Sequence, residues 1–561
     1  MKAIVVRGLR FLGLVGAVYG ITLLILIVDS ARIAISAHSL IQDFRNNSTS
    51  EREVSDFATG LQRYSANLDS NLLLPIEILV GDNQSIRQIA RTVNSLARAL
   101  EDVSPLFDEK TRSNNQSDTE FLLQNSQYLE KASLEIDEAL THFDSLEFSG
   151  LLSGLNPRLV NLREQTAKYQ EAYLRTSPLI PLLPDLLGDK RVRTYFIGMQ
   201  NSAQGRGTGG LLGTFAIVTV DKGRISIDYV APNTELMVHS DIPIEVPQEY
   251  RQIYQDYAKN WNGSNFSPHF PYAAENWAET WRRMTGQQVD GVISIDTYML
   301  RALLAASGPI EVENILLSGE NVIEELLSTA YSRFESDPMK RKNFLATVAK
   351  TVADRFVAGN YSRSPLIRES VSPLVENRIL LYMRDARERE LISRTPLSGI
   401  LDDGSNNEYR LILQNIAGNK LDYYMAKEIE IMSEQCSPIR TTRVDIKVTN
   451  TADPKRDLPA YVIALRAQGF PNGKGNTQFA GIFLYGPTNS KITGVVDRDT
   501  GETYGWLYRE RNRSLYSAQV YIPAGASKNF TVFFEGGEGP ITSVLQPLVI
   551  PQKTRITDSC N

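Results

Sequence analysis

A turn rich in glycine around one cation is the part of this sequence best suited to chemistry. Four glycines between positions 205 and 210 surround Arg206, and apolar runs with strand-like composition lie on both sides. Glycine lets backbone N–H groups approach an anion closely, and an arginine adds positive charge. The spacing excludes nucleotide-binding loops, because no Gly-Lys-Ser/Thr is present and a second strand follows instead of a helix. Two interpretations stay open: a hairpin that only turns, and a phosphate-binding loop built from Arg206, Thr208, Gly209 and Gly210.

Composition excludes several classes of protein. The 561 residues are too many for one core and predict several domains. Apolar residues make up 42% and charged residues 22%, which is typical of globular proteins. The net charge of −6, with both signs interspersed, gives no surface for nucleic acid. Four histidines are scattered without cysteine or carboxylate at ligand spacing, so we predict no metal site of the zinc type.

The N-terminus predicts a membrane anchor. Lys2, Arg7 and Arg10 precede 18 uncharged residues, 11–28. This run is at the lower end for a membrane-spanning helix and longer than the apolar core of a signal peptide. Cations before the span predict a cytoplasmic start, a single pass through the cell membrane and about 530 residues outside. We expect residues 1–36 to form this start and anchor, with a cleaved signal peptide as the alternative.

Behind the anchor, the residue pattern changes twice. Residues 37–178 carry four amphipathic helical stripes and predict a helical bundle or hairpin stalk. Prolines end that pattern, and residues 179–403 alternate strands with helices, including one at 322–334, which predicts an α/β core domain. Residues 404–561 are short β runs, among them 461–467, separated by turns, as in a β-sandwich. The fold class is therefore multidomain α+β.

Cys436 and Cys560 are the only cysteines, at the start and the end of the last segment. In an oxidising compartment they could join in a disulfide that ties the C-terminus to its domain. Two unpaired thiols are the alternative. A redox or nucleophilic role is the least supported, because neither lies beside a histidine or in a Cys-x-x-Cys motif.

Three further residues have a structural interpretation. Trp277 and Trp281, at helical spacing, are predicted to be core anchors and not a platform for sugar rings. Asp296 directly precedes a helical stretch and is predicted to cap it.

Several motifs in a fixed order resemble the bacterial family called domain of unknown function 4012. They are LLPDLLGDKRVRTYFIGMQNSAQGRGTGGLLGTFAIVTVDKGRI, SPHFPYAAENWAETWRRMTGQQVDGVISID with LLAASGPI, and the Asn419-Lys420 stretch. The resemblance covers about 179–431. Where the family reads Asn-Asn-Ala-Glu, this chain has Gln204 in place of the glutamate. Members are membrane-anchored envelope proteins associated with surface polysaccharide, so the resemblance implies a role in envelope glycopolymer assembly, with envelope-protein partners.

A more distant likeness suggests a mechanism. VDGVISIDTYMLRALLAASGPIEVE and AYSRFESDPMKRKNFLATVAKTV resemble motifs of the LytR-CpsA-Psr phosphotransferases, which move a glycan phosphate from polyprenyl diphosphate to a wall acceptor. The resemblance implies an α/β core domain of that type. It also implies that Arg333, Arg341 and Lys342 lie near the diphosphate, joined by Arg206, because guanidinium groups grip phosphate oxygens. Asn201, Asp241 and Asp337 are supporting candidates.

Departures from the phosphotransferase motifs remove a magnesium-binding carboxylate and one phosphate-binding arginine. Thr208, Gly209 and Gly210 stand where Arg-Ser-Asp-Thr is expected, and 231–233 replace Pro-Arg-Asp. Asp241 is the most plausible replacement carboxylate, and Mg²⁺ would be a cofactor only for an active phosphotransferase.

The prediction is therefore a membrane-anchored, extracytoplasmic protein that binds a lipid-linked glycan, such as one on polyprenyl diphosphate, a cell-wall polymer or a related anionic ligand. An active phosphotransferase that attaches glycopolymer to the cell wall is the alternative. Without the family comparison, the preferred explanation of the cations at 333, 341 and 342 is a solvated helix face that pairs with Glu335 and Asp337.

Overall fold

A computed structural model describes residues 50–68, 83–107, 116–238, 241, 243–259, 261–401, 407–465, 469 and 474–560. Helices and several sheets are present in separate regions, so the predicted multidomain α+β architecture is confirmed. The predicted anchor, 1–36, lies outside the described residues. No helix within the described ranges is long and apolar enough to cross a bilayer.

The helices, in chain order, are α1 Glu51–Leu68, α2 Asn83–Val103, α3 Asp118–Gln124, α4 Ser126–Asp144, α5 Asn156–Thr176, α6 Leu183–Leu186, α7 Gln248–Tyr254, α8 Phe270–Thr285, α9 Thr297–Ser307, α10 Val322–Glu324, α11 Ala330–Arg333, α12 Pro338–Val357, α13 Arg363–Val375, α14 Ala386–Ser393 and α15 Ala460–Ile463. A π-helical turn, Glu325–Thr329, joins α10 to α11 and interrupts the helix predicted over 322–334.

The strands are β1 Arg193–Arg206, β2 Gly209–Asp221, β3 Arg224–Pro232, β4 Gly291–Asp296, β5 Ile310–Val312, β6 Ile315–Leu317, β7 Leu380–Met383, β8 Glu408–Asn415, β9 Met425–Gln435, β10 Thr441–Asn450, β11 Gln478–Thr488, β12 Lys491–Asp497, β13 Trp506–Glu510, β14 Arg513–Ile522, β15 Ser527–Glu535, β16 Thr542–Val544 and β17 Lys553–Thr557. The described residues divide into two compact units. Unit 1 holds the described residues up to Arg193, with Thr219–Ser226 and Arg355–Val375. Unit 2 holds the described residues of Thr194–Val218 and Ile227–Asp354 and those from Glu376 onward.

Unit 1 is helical, and its core follows the apolar spacing of the sequence. In α2, Ile86, Val93 and Leu100 lie on one buried face, as a 3.6-residue period requires. Similar faces of α1, α4 and α5 complete the same core. Helix α13 and the hairpin tip Thr219–Ser226 also belong to unit 1, although they lie outside 37–178. Such contributions from distant parts of the chain leave no periodic signal in the sequence.

Unit 2 contains a five-stranded sheet with the order β3-β2-β1-β4-β7. Strand β1 runs parallel to β4, and β7 is antiparallel to β4. Helix α8 packs on this sheet through Trp277 and Trp281, which are both buried beside Phe196 and Phe215. The prediction that these two tryptophans are core anchors is confirmed.

The C-terminal part of unit 2 has two five-stranded sheets, in the orders β12-β15-β10-β9-β17 and β13-β14-β11-β8-β16. Alternate side chains of both sheets share one apolar core, which is the arrangement of a β-sandwich. Cys436 and Cys560, for which the sequence leaves bonded and free states open, form a disulfide in the structure.

The strand predicted over 461–467 is wrong, because Ala460–Ile463 forms a helical turn. Pro459 precedes the turn, and its carbonyl accepts the N–H of Val462 at 2.8 Å. The apolar side chain of Val462 packs with Tyr331 and Leu421. These residues are distant in sequence, so the apolar run that suggested a strand is used for a tertiary contact instead.

Candidate functional site

The glycine-rich turn between β1 and β2 is closed by its own hydrogen bonds. The Gly210 N–H and the Thr208 hydroxyl both donate to Gln200 Oε1, at 3.0 and 2.9 Å. Asn265 Nδ2 donates to the Thr208 hydroxyl at 3.1 Å and to the Gly210 carbonyl at 2.8 Å. These polar groups, proposed as phosphate ligands, are thus engaged inside the fold.

Close packing explains why glycines occupy this turn. A Cβ atom on Gly207 would lie 2.2 Å from the carbonyl oxygen of Phe266, a distance that no side chain tolerates. Gly209 lies against Pro547 with φ +130°, in a region that favours glycine. The structure therefore favours the interpretation in which the hairpin turns and lets backbones pack closely.

Arg206 is buried at the end of β1. Its Nη1 donates to the carbonyl oxygens of Gly205 and Asn415, at 2.9 and 2.8 Å. The guanidinium carbon lies 4.5 Å from the centre of the Phe266 ring, a cation–π contact. Its Nε is buried and has no hydrogen-bond partner among the described atoms. Burial lowers the pKa of Arg206 to about 10, so it stays charged at neutral pH.

The anion that meets the hairpin is the chain's own carboxylate, Asp422. The Gly205 N–H donates to Asp422 Oδ2 at 2.6 Å, and Gln478 Nε2 donates to Oδ1. Burial raises the pKa of Asp422, while the hydrogen bond from Gly205 and the charge of Arg206 act in the opposite direction. Sequence reasoning did not single out Asp422, because it lies more than 200 positions from the hairpin it completes.

Lys420 is a second buried cation beside Asp422, and sequence reasoning assigned it no role of its own. Its Nζ donates to Gln204 Oε1 at 2.8 Å and lies 5.4 Å from the centre of the Tyr331 ring. Burial is the largest cause that lowers the pKa of Lys420 to about 7, followed by the charges of Arg341 and Arg206. Both predicted arginines, Arg206 and Arg341, therefore lie near enough to Lys420 to lower its pKa.

Arg341 is almost fully buried at 2% exposure, so its interpretation as part of a solvated helix face is wrong. Its guanidinium carbon lies 4.6 Å from the centre of the Tyr331 ring and 4.2 Å from that of Tyr461. Its Nη1 is buried without a hydrogen-bond partner, and no ion pair of the described residues includes Arg341. Aromatic faces, and not carboxylates, therefore surround this charge.

Two other predicted site residues lie beside Arg341 and Tyr331. Lys342 is half-buried, and burial together with the charge of Arg341 lowers its pKa. Asn201 Nδ2 donates to the Tyr331 hydroxyl at 2.9 Å and so fixes the ring that faces both cations.

Arg333, another predicted site residue, is not buried with Arg206, Lys420 and Arg341. It is exposed on α11, and its Nη1 lies 2.8 Å from Glu325 Oε2 in a surface ion pair. A pair of this kind contributes little to stability.

The acidic candidates have other positions. Asp337 Oδ1 accepts the N–H of Lys340 at 2.8 Å, at the start of α12. Asp241 is exposed and does not contribute to the pKa shifts of Arg206 or Lys420. Asp296 caps α9 by accepting the Tyr298 N–H at 2.9 Å, as predicted.

A small cavity at the protein surface reaches Lys420. Its volume is about 10 Å³, which is room for about one water molecule. The π-helical turn Glu325–Thr329 supplies part of its wall, and such turns are frequent at functional sites. Polar side chains that line it with Lys420 are Ser328, Ser332, Tyr423, Tyr424 and Arg456.

The charges of the group are unbalanced. Arg206, Arg341 and Lys420 are buried cations. Asp422 is the carboxylate whose charge raises the pKa of Arg206 and of Lys420, against the lowering caused by burial. We name these four residues, with Tyr331, the cation cluster. Its arrangement favours an anionic ligand, since burying unpaired charge is unfavourable.

These residues do not fit Mg²⁺, the cofactor implied by the phosphotransferase likeness. Both oxygens of Asp422 already accept hydrogen bonds, and cations lie beside it. Magnesium requires free carboxylate oxygens with water or phosphate to complete an octahedron. The described residues also contain no group of three or more His, Cys, Asp or Glu arranged to hold a metal ion.

Comparison with known proteins identifies one family. Residues 190–331 match the family described as protein of unknown function (DUF4012), which confirms the predicted family over that segment. The match includes the hairpin and Tyr331 and ends before Arg341. No curated protein and no solved structure matches the chain.

Proposed function

We propose that this chain, whose residues 190–331 match the DUF4012 family, is a membrane-anchored envelope protein that binds a phosphate group of a lipid-linked glycan during glycopolymer assembly. The observation that carries the proposal is the cation cluster, in which buried positive charges outnumber the carboxylates that could neutralise them. Lys420 supports the proposal most directly, because it lies in the wall of a cavity that opens to the surface.

The size of the cavity limits what enters it. A volume of about 10 Å³ admits one oxygen atom and not a whole phosphate group. In the proposed complex, one phosphate oxygen accepts a hydrogen bond from Lys420 Nζ. The rest of the ligand stays at the surface, where Ser332 and Arg456 are exposed. Arg206 and Arg341 contribute through their charge at longer range.

Binding, and not phosphoryl transfer, is the function that we propose. Transfer by the phosphotransferase route needs a metal ion to offset charge on the phosphates, and the cluster offers no free carboxylate for it. An active phosphotransferase therefore receives no support from this group of residues.

Sulfate tests the proposal, because it has the size and charge of a phosphate group. We expect sulfate and pyrophosphate to raise the melting temperature of the purified chain, by an amount equivalent to about 2.7 kcal/mol at a concentration of 100 Kd. Lys420→Met should remove the part of this response that exceeds the general stabilisation that sulfate gives folded proteins. Gln204→Glu should also remove that part, because a carboxylate 2.8 Å from Lys420 Nζ would replace the external anion. Melting would be followed by calorimetry with chloride at equal ionic strength as the reference.

Lys427 offers a matched control. Like Lys420 it is buried, and burial lowers its pKa to about 7. Its Nζ donates to Gln546 Oε1 and the Leu411 carbonyl, and it does not line the cavity. Lys427→Met should therefore keep the sulfate response. Equal loss in both variants, or a sulfate response in Lys420→Met as large as that of the unaltered chain, would overturn the proposed site.

The pH dependence gives a second readout of the same experiment. The pKa of Lys420 in the folded chain is about 7, against its usual 10.5, so the unfolded chain binds more protons between these values. Without ligand, stability should rise with pH across that window. Sulfate prefers the protonated lysine and keeps its own charge, so its stabilising effect should be larger at pH 6 than at pH 8.5. A response that is flat over this range contradicts the assignment to Lys420.

The orientation is a separate prediction. The cations before residues 11–28 predict that everything after the anchor lies outside the cell membrane. The Cys436–Cys560 disulfide supports this, because disulfides persist in oxidising compartments. Protease added to intact cells should digest the segment that contains both cysteines, while a cytoplasmic control protein stays intact. Protection of the segment until the cells are lysed would reverse the proposed orientation.

A further inference from the structure

Exposed aromatic side chains lie on the outer side of one sheet of the sandwich. Tyr504, Trp506 and Tyr521 are 41%, 47% and 46% exposed, which is unusual for such large apolar rings. They belong to β13, to the turn before it and to β14, its neighbour in the sheet. Phe479 on β11 lies directly opposite Tyr521 and is half-buried.

These rings are held in place by the fold. The Tyr521 and Phe479 rings stack with their centres 4.5 Å apart. The Tyr504 hydroxyl donates to the Gln519 carbonyl oxygen at 2.6 Å, and the Tyr504 ring lies 6.4 Å from that of Trp506. Rings fixed in this way lose little conformational entropy when a ligand covers them.

A glycine sets the direction of the first two rings. Gly505, between Tyr504 and Trp506, has φ +104°, and a Cβ there would lie 2.4 Å from the Ser517 carbonyl oxygen. The backbone therefore bends tightly onto β14 at this point, which brings both neighbouring rings to the sheet.

The same sheet face is covered at its other end. There Phe483, Tyr485 and Leu515 point outward and pack against Ile253 and Tyr254 of α7. At the open end, the outward positions are Phe479, Gly481, Trp506, Gln519 and Tyr521. We call this set, with Tyr504, the aromatic face.

The chemistry of the aromatic face identifies its ligand class. None of its side chains carries a charge, which argues against nucleic acid and anionic lipid, since both require cations. Its apolar groups are aromatic and not aliphatic, and Gln519 and the tyrosine hydroxyls offer hydrogen bonds. Flat rings with polar groups between them match the alternating C–H faces and hydroxyl groups of sugar rings.

The dimensions favour a chain of sugars over a single one. Ser517, opposite Trp506, and Tyr521 are four positions apart on β14, or about 14 Å along a strand. This is two to three times the usual spacing between stacked rings of about 4.5–7 Å. We infer that the aromatic face binds a neutral polysaccharide segment, at a site separate from the cation cluster and independent of the anion proposed for it.

Trp506 provides a direct measurement. The other three tryptophans, Trp261, Trp277 and Trp281, are buried, so acrylamide quenching of fluorescence reports mainly on Trp506. The purified full chain would be run through native gels that contain a soluble linear glucan, a mannan or a galactan, and quenching would be measured with each. We expect at least one polysaccharide to retard the chain and to protect Trp506 from acrylamide.

Variants distinguish binding at the aromatic face from nonspecific binding elsewhere on the chain. Trp506→Ala and Tyr521→Ala should each weaken retardation by about tenfold. Leu507→Ala is the matched control, because Leu507 is 56% exposed on the same strand but points to the opposite side of the sheet. No retardation by any of the three polysaccharides, or equal losses in Trp506→Ala and Leu507→Ala, would overturn the inference. Self-association that Trp506→Ala abolishes, without polysaccharide binding, would assign the face to a second copy of the chain instead.

Discussion

Replacement of Asp422 by alanine is expected to lower the free energy of unfolding of unit 2 by about 3–5 kcal/mol, the usual effect of removing one partner from a buried group of charges. Asp422 is fully buried, and its carboxylate accepts hydrogen bonds from the Gly205 N–H and from Gln478. Alanine leaves both donors unpaired. It also removes the negative charge that stabilises the positive charges of Arg206 and Lys420. The variant therefore loses hydrogen bonds and charge balance together.

The measurement is urea unfolding followed by tryptophan fluorescence. All four tryptophans belong to unit 2, so this signal does not depend on the helical unit. Asp457→Ala is the control, because Asp457 is exposed in the same part of the chain and should change stability by less than about 0.5 kcal/mol. If Asp422→Ala proves as harmless as Asp457→Ala, the buried charges do not depend on this carboxylate.

A double variant identifies the partner. Arg206→Met removes one of the cations that Asp422 neutralises and should recover part of the stability lost in Asp422→Ala. Strictly additive losses from the two changes would mean that their charges are not coupled.

Trp277→Ala is the second variant with a large expected effect, a loss of about 3–5 kcal/mol. The Trp277 ring is fully buried, with its centre 6.1 Å from those of Phe196 and Phe270. Its Nε1 donates to the Ser264 hydroxyl at 3.0 Å. Alanine would leave a cavity between α8 and the sheet and an unpaired hydroxyl.

Trp506→Ala is the matched comparison for this substitution. Trp506 is half-exposed and should change stability by no more than about 0.5 kcal/mol. Urea unfolding of both variants can be followed with the three tryptophans that remain. Similar stability in the two variants would contradict the assignment of Trp277 to the core.

The helices of unit 1 and most strands of unit 2 were predictable because their signal is local. One face of each helix must be buried, and this repeats apolar residues every three or four positions, as in α2. Strands such as β10 alternate buried and partly exposed residues for the same reason. The helical turn of α15 shows the limit, because its apolar residues pack against Tyr331 and Leu421 rather than into a sheet.

The cation cluster was only partly predictable. The glycine-rich turn led to Arg206 and the phosphotransferase likeness led to Arg341, and both are buried around Lys420. The same phosphotransferase likeness led to Arg333, which lies in a surface ion pair. A one-dimensional pattern treats these three arginines alike, because nothing in it says which segments will cover them.

The amino-acid sequence alone determined the fold class, the periodic helices and strands and the family that residues 190–331 match. It also determined the burial of Trp277 and Trp281 and the position of the glycine-rich turn. Tertiary structure decided that Asp422 completes that turn, that Lys420 links the buried arginines and that Trp506 is left open to solvent. The physical reason is that desolvation and charge balance depend on groups far apart in the chain. The desolvation and the charge balance of a side chain are set only when folding brings distant residues together, as it does for Gln204, Tyr331, Arg341 and Lys420.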